Sequence, residues 1–336
     1  TKKISKSFEG TISDIVEEIF QDTNDGLGSV KNLTIGDRTR NFIQFIAPRW
    51  SPIQTINWLA QQAVSGEHDV PNYLFYETVD GFHFTSLSEL IFKGQFEGLK
   101  AAFTFQPNRH NSTTGGNPRE PQTSLDYRTI EWFAIKNSMD VLTHLQRGMY
   151  SSRLELFDLT DKRIINLELG YPDQYDKPPT RLDFLYNGTL AGKQGDDLLP
   201  TRLQATTRDR ELLLNDAPFS NLTVRPWYSK LYDPAIEDVK HYGEWIQQRK
   251  MEMEQYNSIT LEMMVPGDSA LRVGDFIQVD IPSTEPQPDE EFIYDPLLSG
   301  SYIITSLRHR FEGPDKHEMV LEITKDSYFK ELNKRS

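Results

Sequence analysis

The 336 residues include no cysteine, so disulfides, thiolate nucleophiles and sulfur-ligated zinc or iron sites are excluded. No apolar run approaches the roughly 20 residues that cross a bilayer, and Thr1 to Lys6 lacks the apolar core of a signal peptide. Positive charge is scarce: 36 Lys and Arg stand against 50 Asp and Glu, a formal net charge of −14. Such a chain has no overall attraction to phosphate, which argues against tight nucleic-acid binding. There is no internal repeat and no heptad run.

The motifs of several chemistries are also missing. Neither G-x-x-x-x-G-K-S/T nor G-x-G-x-x-G occurs, so no Gly-rich loop feeds a helix to hold a nucleotide. G-x-S-x-G is absent, which disfavours a nucleophile elbow. Asp22-Thr23-Asn24-Asp25-Gly26 lacks the alternating spacing of a calcium loop and reads as a turn ending a helix. The seven histidines, among them His83, His110, His144, His241, His309 and His317, never fall in H-E-x-x-H or in i, i+4 helical pairs. His309-Arg310 reads as a surface pair. Carboxylate pairs such as Glu17-Glu18 and Asp289-Glu290-Glu291 read as solvated faces, because a chain this acidic offers pairs by chance. No metal, cofactor or catalytic residue is assigned.

What is present is a succession of short periodic segments. Thr11 to Asp22 carries Ile12, Ile15, Val16, Ile19 and Phe20 at helical spacing, with Thr11 and Asp14 as a cap. Phe42 to Ile46 reads as a strand, and Ser51-Pro52 opens a helix whose inner stripe is Ile53, Ile56, Leu59, Ala60, Ala63 and Val64. Tyr73 to Glu77 and Phe82 to Ser86 form a hairpin across Asp80-Gly81. Phe105 to Pro118 is too polar to fold alone and reads as a linker. A strand follows at Thr129 to Ile135, then a short helix from Ser138, with Met139, Leu142 and Leu145 on one side, ended by Gly148. Arg153 to Leu159 and Lys162 to Leu169 make a hairpin, and Gly170 to Leu203 reads as irregular. Val239 to Tyr256 is a helix, and Ser258 to Val265, Gly274 to Pro282, Gly300 to Leu307 and His317 to Thr324 are strands.

Two residue groups invite an interface reading. Arg38, Arg40 and Arg49 form a local basic cluster, either a solvated face or a salt-bridged subunit contact. The aromatics Trp58, Tyr73 and Phe75 suit core packing or subunit contact. A stacking platform for sugars or bases, built from Trp50, Trp58, Trp132, Trp227, Trp245 and the Tyr73 to Tyr76 segment, needs more assumptions.

The strand at Gly274 to Ile281, the loop to Gly300, the strand Tyr302 to Arg308 and the strand Met319 to Lys325 together resemble the closing barrel of phage tail-tube-like hub proteins. The helix at Ser138 to Arg147, the Gly148 to Ser152 turn and the Leu154 to Asp158 strand resemble the segment before the insertion in the baseplate hub of T-even-like contractile phages. Trp50 to Leu87 is similar to the connecting domain of those hubs and of type VI secretion spike hubs.

The resemblance implies an α+β, mainly antiparallel fold: a split tail-tube-like β-barrel, an α/β connecting domain and an inserted domain. Residues 1–10 would hold the last strand of another barrel, so an upstream region is expected. Residues 11–124 would form the connecting domain, 125–170 and 257–336 the two halves of the visible barrel, and 171–256 the insertion. The implied role is non-enzymatic, in the virion tail baseplate after assembly in the host cytoplasm. A homotrimer would present a pseudo-sixfold ring to the tail tube or a tube-initiator protein above and threefold symmetry to the central spike below, with other baseplate proteins around it. DNA would pass transiently through its channel during ejection, since an acidic wall repels phosphate and lets the polymer slide. Alternatives are a type VI or pyocin-like spike hub, a cell-wall-degrading tail enzyme with carboxylates in Gly170 to Leu203, and a carbohydrate-binding module.

Overall fold

A computed structural model describes residues 2–105, 128–137, 141–149, 151–158, 162–170, 221–227, 239–283, 294–295, 297–313 and 316–326. The linker after Phe105, the Thr160-Asp161 turn and nearly all of Gly170 to Leu203 lie outside the described residues. The described residues fall into two compact units, 2–92 with 141–170 and 221–255, and 93–137 with 256–326.

The elements before the linker are β1 (Ser7–Thr11), α1 (Ile12–Gln21), β2 (Asn32–Ile35), β3 (Phe42–Ile46), α2 (Pro52–Gln62), β4 (Tyr73–Glu77), β5 (Gly81–Ser86), α3 (Leu87–Glu97) and β6 (Ala101–Phe105). After it come β7 (Thr129–Ile130), β8 (Trp132–Asn137), α4 (Val141–Arg147), β9 (Ser151–Asp158), β10 (Arg163–Gly170) and β11 (Asn221–Trp227). The chain continues with α5 (Val239–Tyr256), β12 (Ile259–Pro266), β13 (Phe276–Asp280), β14 (Gly300–Glu312) and β15 (Lys316–Lys325).

In the first unit α1 starts at Thr11, whose hydroxyl accepts the Asp14 N–H. The stripe predicted for α1 is buried throughout. α2 has a full capping box between Ser51 and Gln54 with Pro52 in the first turn. Of the stripe predicted there, Ile53 faces outward and the remaining five residues are buried. β1 pairs with β3, setting Phe8 opposite Phe45 with their rings stacked at 5.5 Å. β2, β5 and β4 form one three-stranded sheet and β10, β9 and β11 another. Their inner faces share one core with α1 and α2, in which Ile15, Phe45, Leu59, Tyr73, Leu154 and Leu167 are all buried.

The second unit is a seven-stranded sheet in the order β7-β6-β13-β14-β15-β12-β8. Its two ends are one stretch of chain: Thr129 and Ile130 pair with β6, and Trp132 to Asn137 pair with β12. Between them the Glu131 N–H donates to the Met264 carbonyl at 2.9 Å. A single segment therefore stitches both edges and bends the sheet into a nearly closed barrel, removing edges that would otherwise seek partners. The interior is filled by side chains, including Leu261, Met263, Val279, Tyr302, Leu321 and Ile323, so it is a packed core and not a pore.

The fold is α+β and mainly antiparallel: among the described residues seven strand pairings are antiparallel and four are parallel. The barrel is split, as the sequence suggests, but among the described residues its first part is 101–105 with 129–137, and 151–170 pairs elsewhere. β6 joins it in parallel beside β13, a pairing that carries no hairpin signal. The hairpin β9–β10 goes instead with β11, because Leu154, Leu156 and Leu167 bury into the first unit's core. The segment expected to end another barrel also pairs within the first unit, through β1 and through the Ile4 N–H, which donates to the Trp50 carbonyl at 2.8 Å.

Candidate assembly interface

β14 is the longest strand among the described residues, and it outruns its neighbour on one side. β13 pairs with it over Gly300 to Ile303, and Ile304 completes the contact through its N–H to Asp275 and its carbonyl from Gly274. From Thr305 to Glu312 no strand flanks β14 on that side among the described residues, while β15 continues alongside on the other to Lys316. The departure coincides with a register shift between Ile304 and Ser306; the extra residue, Thr305, donates its hydroxyl to the Glu322 carbonyl at 3.0 Å. Such bulges bend and twist a strand away from its sheet. Among the described residues the result is an arm with an open row of backbone donors and acceptors, the arrangement that accepts an added strand.

The barrel-facing row of β14 and β15 continues along this arm. Leu307 lies opposite Leu321, His309 opposite Met319 and Phe311 opposite His317. His309 Nδ1 and His317 Nε2 are 3.0 Å apart, and the Phe311 ring stacks on His317 at 4.3 Å. His309 therefore pairs with His317 across the hairpin. Burial, then His317 and Arg272, hold the His309 pKa below its usual value. Phe311 remains 69% exposed, an apolar end to a row that is core further down. The opposite face is charged, with Arg310 and Lys316 both ion-paired to Glu312.

The residues singled out from sequence lie in the first unit. Arg38 pairs with Asp14 at 2.8 Å and Glu17 at 3.1 Å on α1. Arg40 pairs with Asp69 at 2.5 Å and lies over the Trp245 ring at 5.4 Å. Both arginines thus find carboxylates in their own chain, whereas Arg49 is exposed at a positive φ of 55° with no ion pair among the described residues. Trp58 packs on the core against Phe45 and Trp50 at 4.9 and 5.6 Å. Phe75 is half-buried and stacks on Phe82 at 5.7 Å. Tyr73 is fully buried, its hydroxyl donating to the Asp37 carbonyl at 3.0 Å. Burial and the Asp37 contacts raise its pKa far above the usual phenol value. No part of it reaches solvent in the folded chain, which is the core packing that the sequence offers as one of its two readings.

The arm was legible only in part: the two strands show in the alternation, but an open edge depends on where the neighbouring strand stops, which alternation does not encode. Among the described residues no helix is long and apolar enough to cross a membrane.

No protein-family model matches this chain, and no curated protein matches it. Among solved structures it is similar to a tail protein from Neisseria meningitidis MC58, at 11% identity and a TM-score of 0.49, over 97% of this chain and 70% of that one. It is also similar to the 43 kDa tail protein of prophage MuSo2 from Shewanella oneidensis, at 11% identity and a TM-score of 0.45, over 97% of this chain and 68% of that one.

Proposed function

We propose that this chain is a non-enzymatic structural subunit of a contractile phage tail, a baseplate hub protein that rings the DNA channel with copies of itself. The observation that carries the reading is the β14 arm: a nearly closed barrel around a full core leaves, among the described residues, a long strand edge open beyond the sheet. An open edge is a liability in a lone subunit and is relieved when copies add strands to one another around a closed ring. Because the barrel interior is packed, the passage for DNA lies between copies and not through the barrel. A net charge of −14 suits a wall along which DNA slides.

The ring is a homotrimer that meets the tail tube or a tube-initiator protein on one side and the central spike on the other, within the virion baseplate. A pseudo-sixfold face asks for two barrels per chain, and the described residues contain one. The test is the mass of the full chain in solution at rising concentration, with imaging of the particle. A trimer with a central hole is the expected result, and Phe311→Asp should return it to monomer without altering the melting temperature. A protein that stays monomeric at high concentration, or whose association ignores Phe311→Asp and removal of the arm, sinks the reading.

A further inference from the structure

Glu67, His68 and Glu89 bring an imidazole and two carboxylates together in the first unit, with one donor atom from each lying within 4.8 Å of the others. The sequence conceals this group, since Glu67-His68 sits in a turn and Glu89 lies about twenty residues later in the first turn of α3. We propose that the three side chains bind a borderline divalent transition-metal cation of the zinc type.

The argument begins at the start of α3. Ser86 caps the helix, its hydroxyl accepting the Glu89 N–H at 3.1 Å, and a Glu three residues after such a cap normally folds back onto the N–H of the capping residue. Here Asp37 occupies that N–H: its Oδ1 accepts from Ser86 at 2.9 Å. The Glu89 carboxylate turns the other way, and its Oε2 meets His68 Nε2 at 2.9 Å. Its Cγ lies beside Gly36, where a Cβ would stand 3.4 Å from it.

The backbone that carries the other two donors is fixed as well. The Ser65 hydroxyl accepts the N–H groups of both Glu67 and His68, at 3.2 and 3.0 Å, and the Gly66 N–H donates to the Arg38 carbonyl at 3.0 Å. The His68 ring lies against Phe92, one turn along α3 from Glu89, at 5.5 Å. Asp69 is swung out of the group by a positive φ of 56° and pairs with Arg40.

One nitrogen and two carboxylate oxygens are a donor set that zinc accepts at about 2.0–2.2 Å, with ligand atoms then roughly 3.4 Å apart and a position left for water. His68 and Glu89 are already near that separation; the exposed Glu67 side chain closes the remaining gap. The cation would clamp the 65–70 turn to α3, and the imidazole makes zinc a better fit than calcium or manganese, which prefer oxygen donors.

The experiment uses the full chain stripped with chelator, then titrated with zinc, manganese and calcium by calorimetry and thermal melting, with cobalt absorption reporting the ligand field. One zinc per chain is expected, with a rise in melting temperature. His68→Gln and Glu89→Gln should each weaken binding by tenfold or more. Glu67→Gln, which alters an exposed side chain, should weaken it as well and covers the case in which the buried variants misfold. The double variant His309→Gln, His317→Gln should leave affinity unchanged. Absence of saturable zinc uptake, preference for calcium or manganese, or uptake indifferent to Glu67→Gln and His68→Gln overturns the proposal.

Discussion

The Lys325 ammonium lies 5.1 Å from the centroid of the Tyr302 ring, and both side chains are enclosed within the barrel unit. Lys325 donates to the Ser299 carbonyl at 2.7 Å, a partner that a neutral amine also satisfies. Burial lowers its pKa from 10.5 to about 7, against the opposing pull of Asp295 and Asp326.

A pH dependence follows from this shift. Between pH 7 and 10.5 the unfolded chain holds a proton on Lys325 that the folded chain does not, so stability rises with pH in that window. Below pH 7 both states are protonated and the cost of burying the charge is constant. Denaturation at several pH values up to about 9, below the titration of the tyrosines, should show this gain, up to about 1.4 kcal/mol per pH unit for one proton. Lys325→Met should abolish it, and a slope unchanged in that variant would contradict the account.

Gly94 faces Phe276 so closely that a Cβ would stand 2.5 Å from the ring. Alanine favours a helix over glycine by about 1 kcal/mol, whereas overpacking a buried ring costs about 1–3 kcal/mol. Phe276 is buried and cannot swing clear into solvent. Gly94→Ala should therefore lower stability by about 1–2 kcal/mol in urea denaturation, against the direction of helix propensity.

Ile130 occupies the two-residue strand that helps to close the barrel and is itself buried. Ile130→Ala should cost about 2–4 kcal/mol. Hydrogen exchange should quicken in β6 and β12, the strands stitched by that segment, more than in β14 and β15. Uniform quickening across all strands would argue that closure is not a separable event.

Tyr73 and Arg38 make a contrast between buried and exposed polar contacts. Tyr73→Phe removes a buried hydroxyl and leaves the Asp37 carbonyl without it, which should cost about 1–2 kcal/mol while leaving the oligomeric state unchanged. Arg38→Ala breaks two exposed ion pairs and should cost less than about 1 kcal/mol. Loss of association on Tyr73→Phe at unchanged stability would reopen its assignment to the core.

Local chemistry was legible in the residues themselves. Thr11 and Ser51-Pro52 mark helix starts, the Tyr73 to Ser86 hairpin turns near Asp80-Gly81, and Val239 to Tyr256 is the helix its pattern describes, because caps, turns and periodicity act over a few residues. The absence of cysteine excludes thiolate chemistry whatever the fold. Tertiary structure alone decided that β6 lies beside β13, that 129–137 closes both edges of one sheet, and that β9 and β10 leave the barrel for β11. It alone set Asp37 on the N–H of Ser86 and turned Glu89 toward His68. Alternation tells which face of a strand is buried and nothing of which strand lies beside it; that choice is made by contacts between residues far apart in the chain, where no short-range pattern records it.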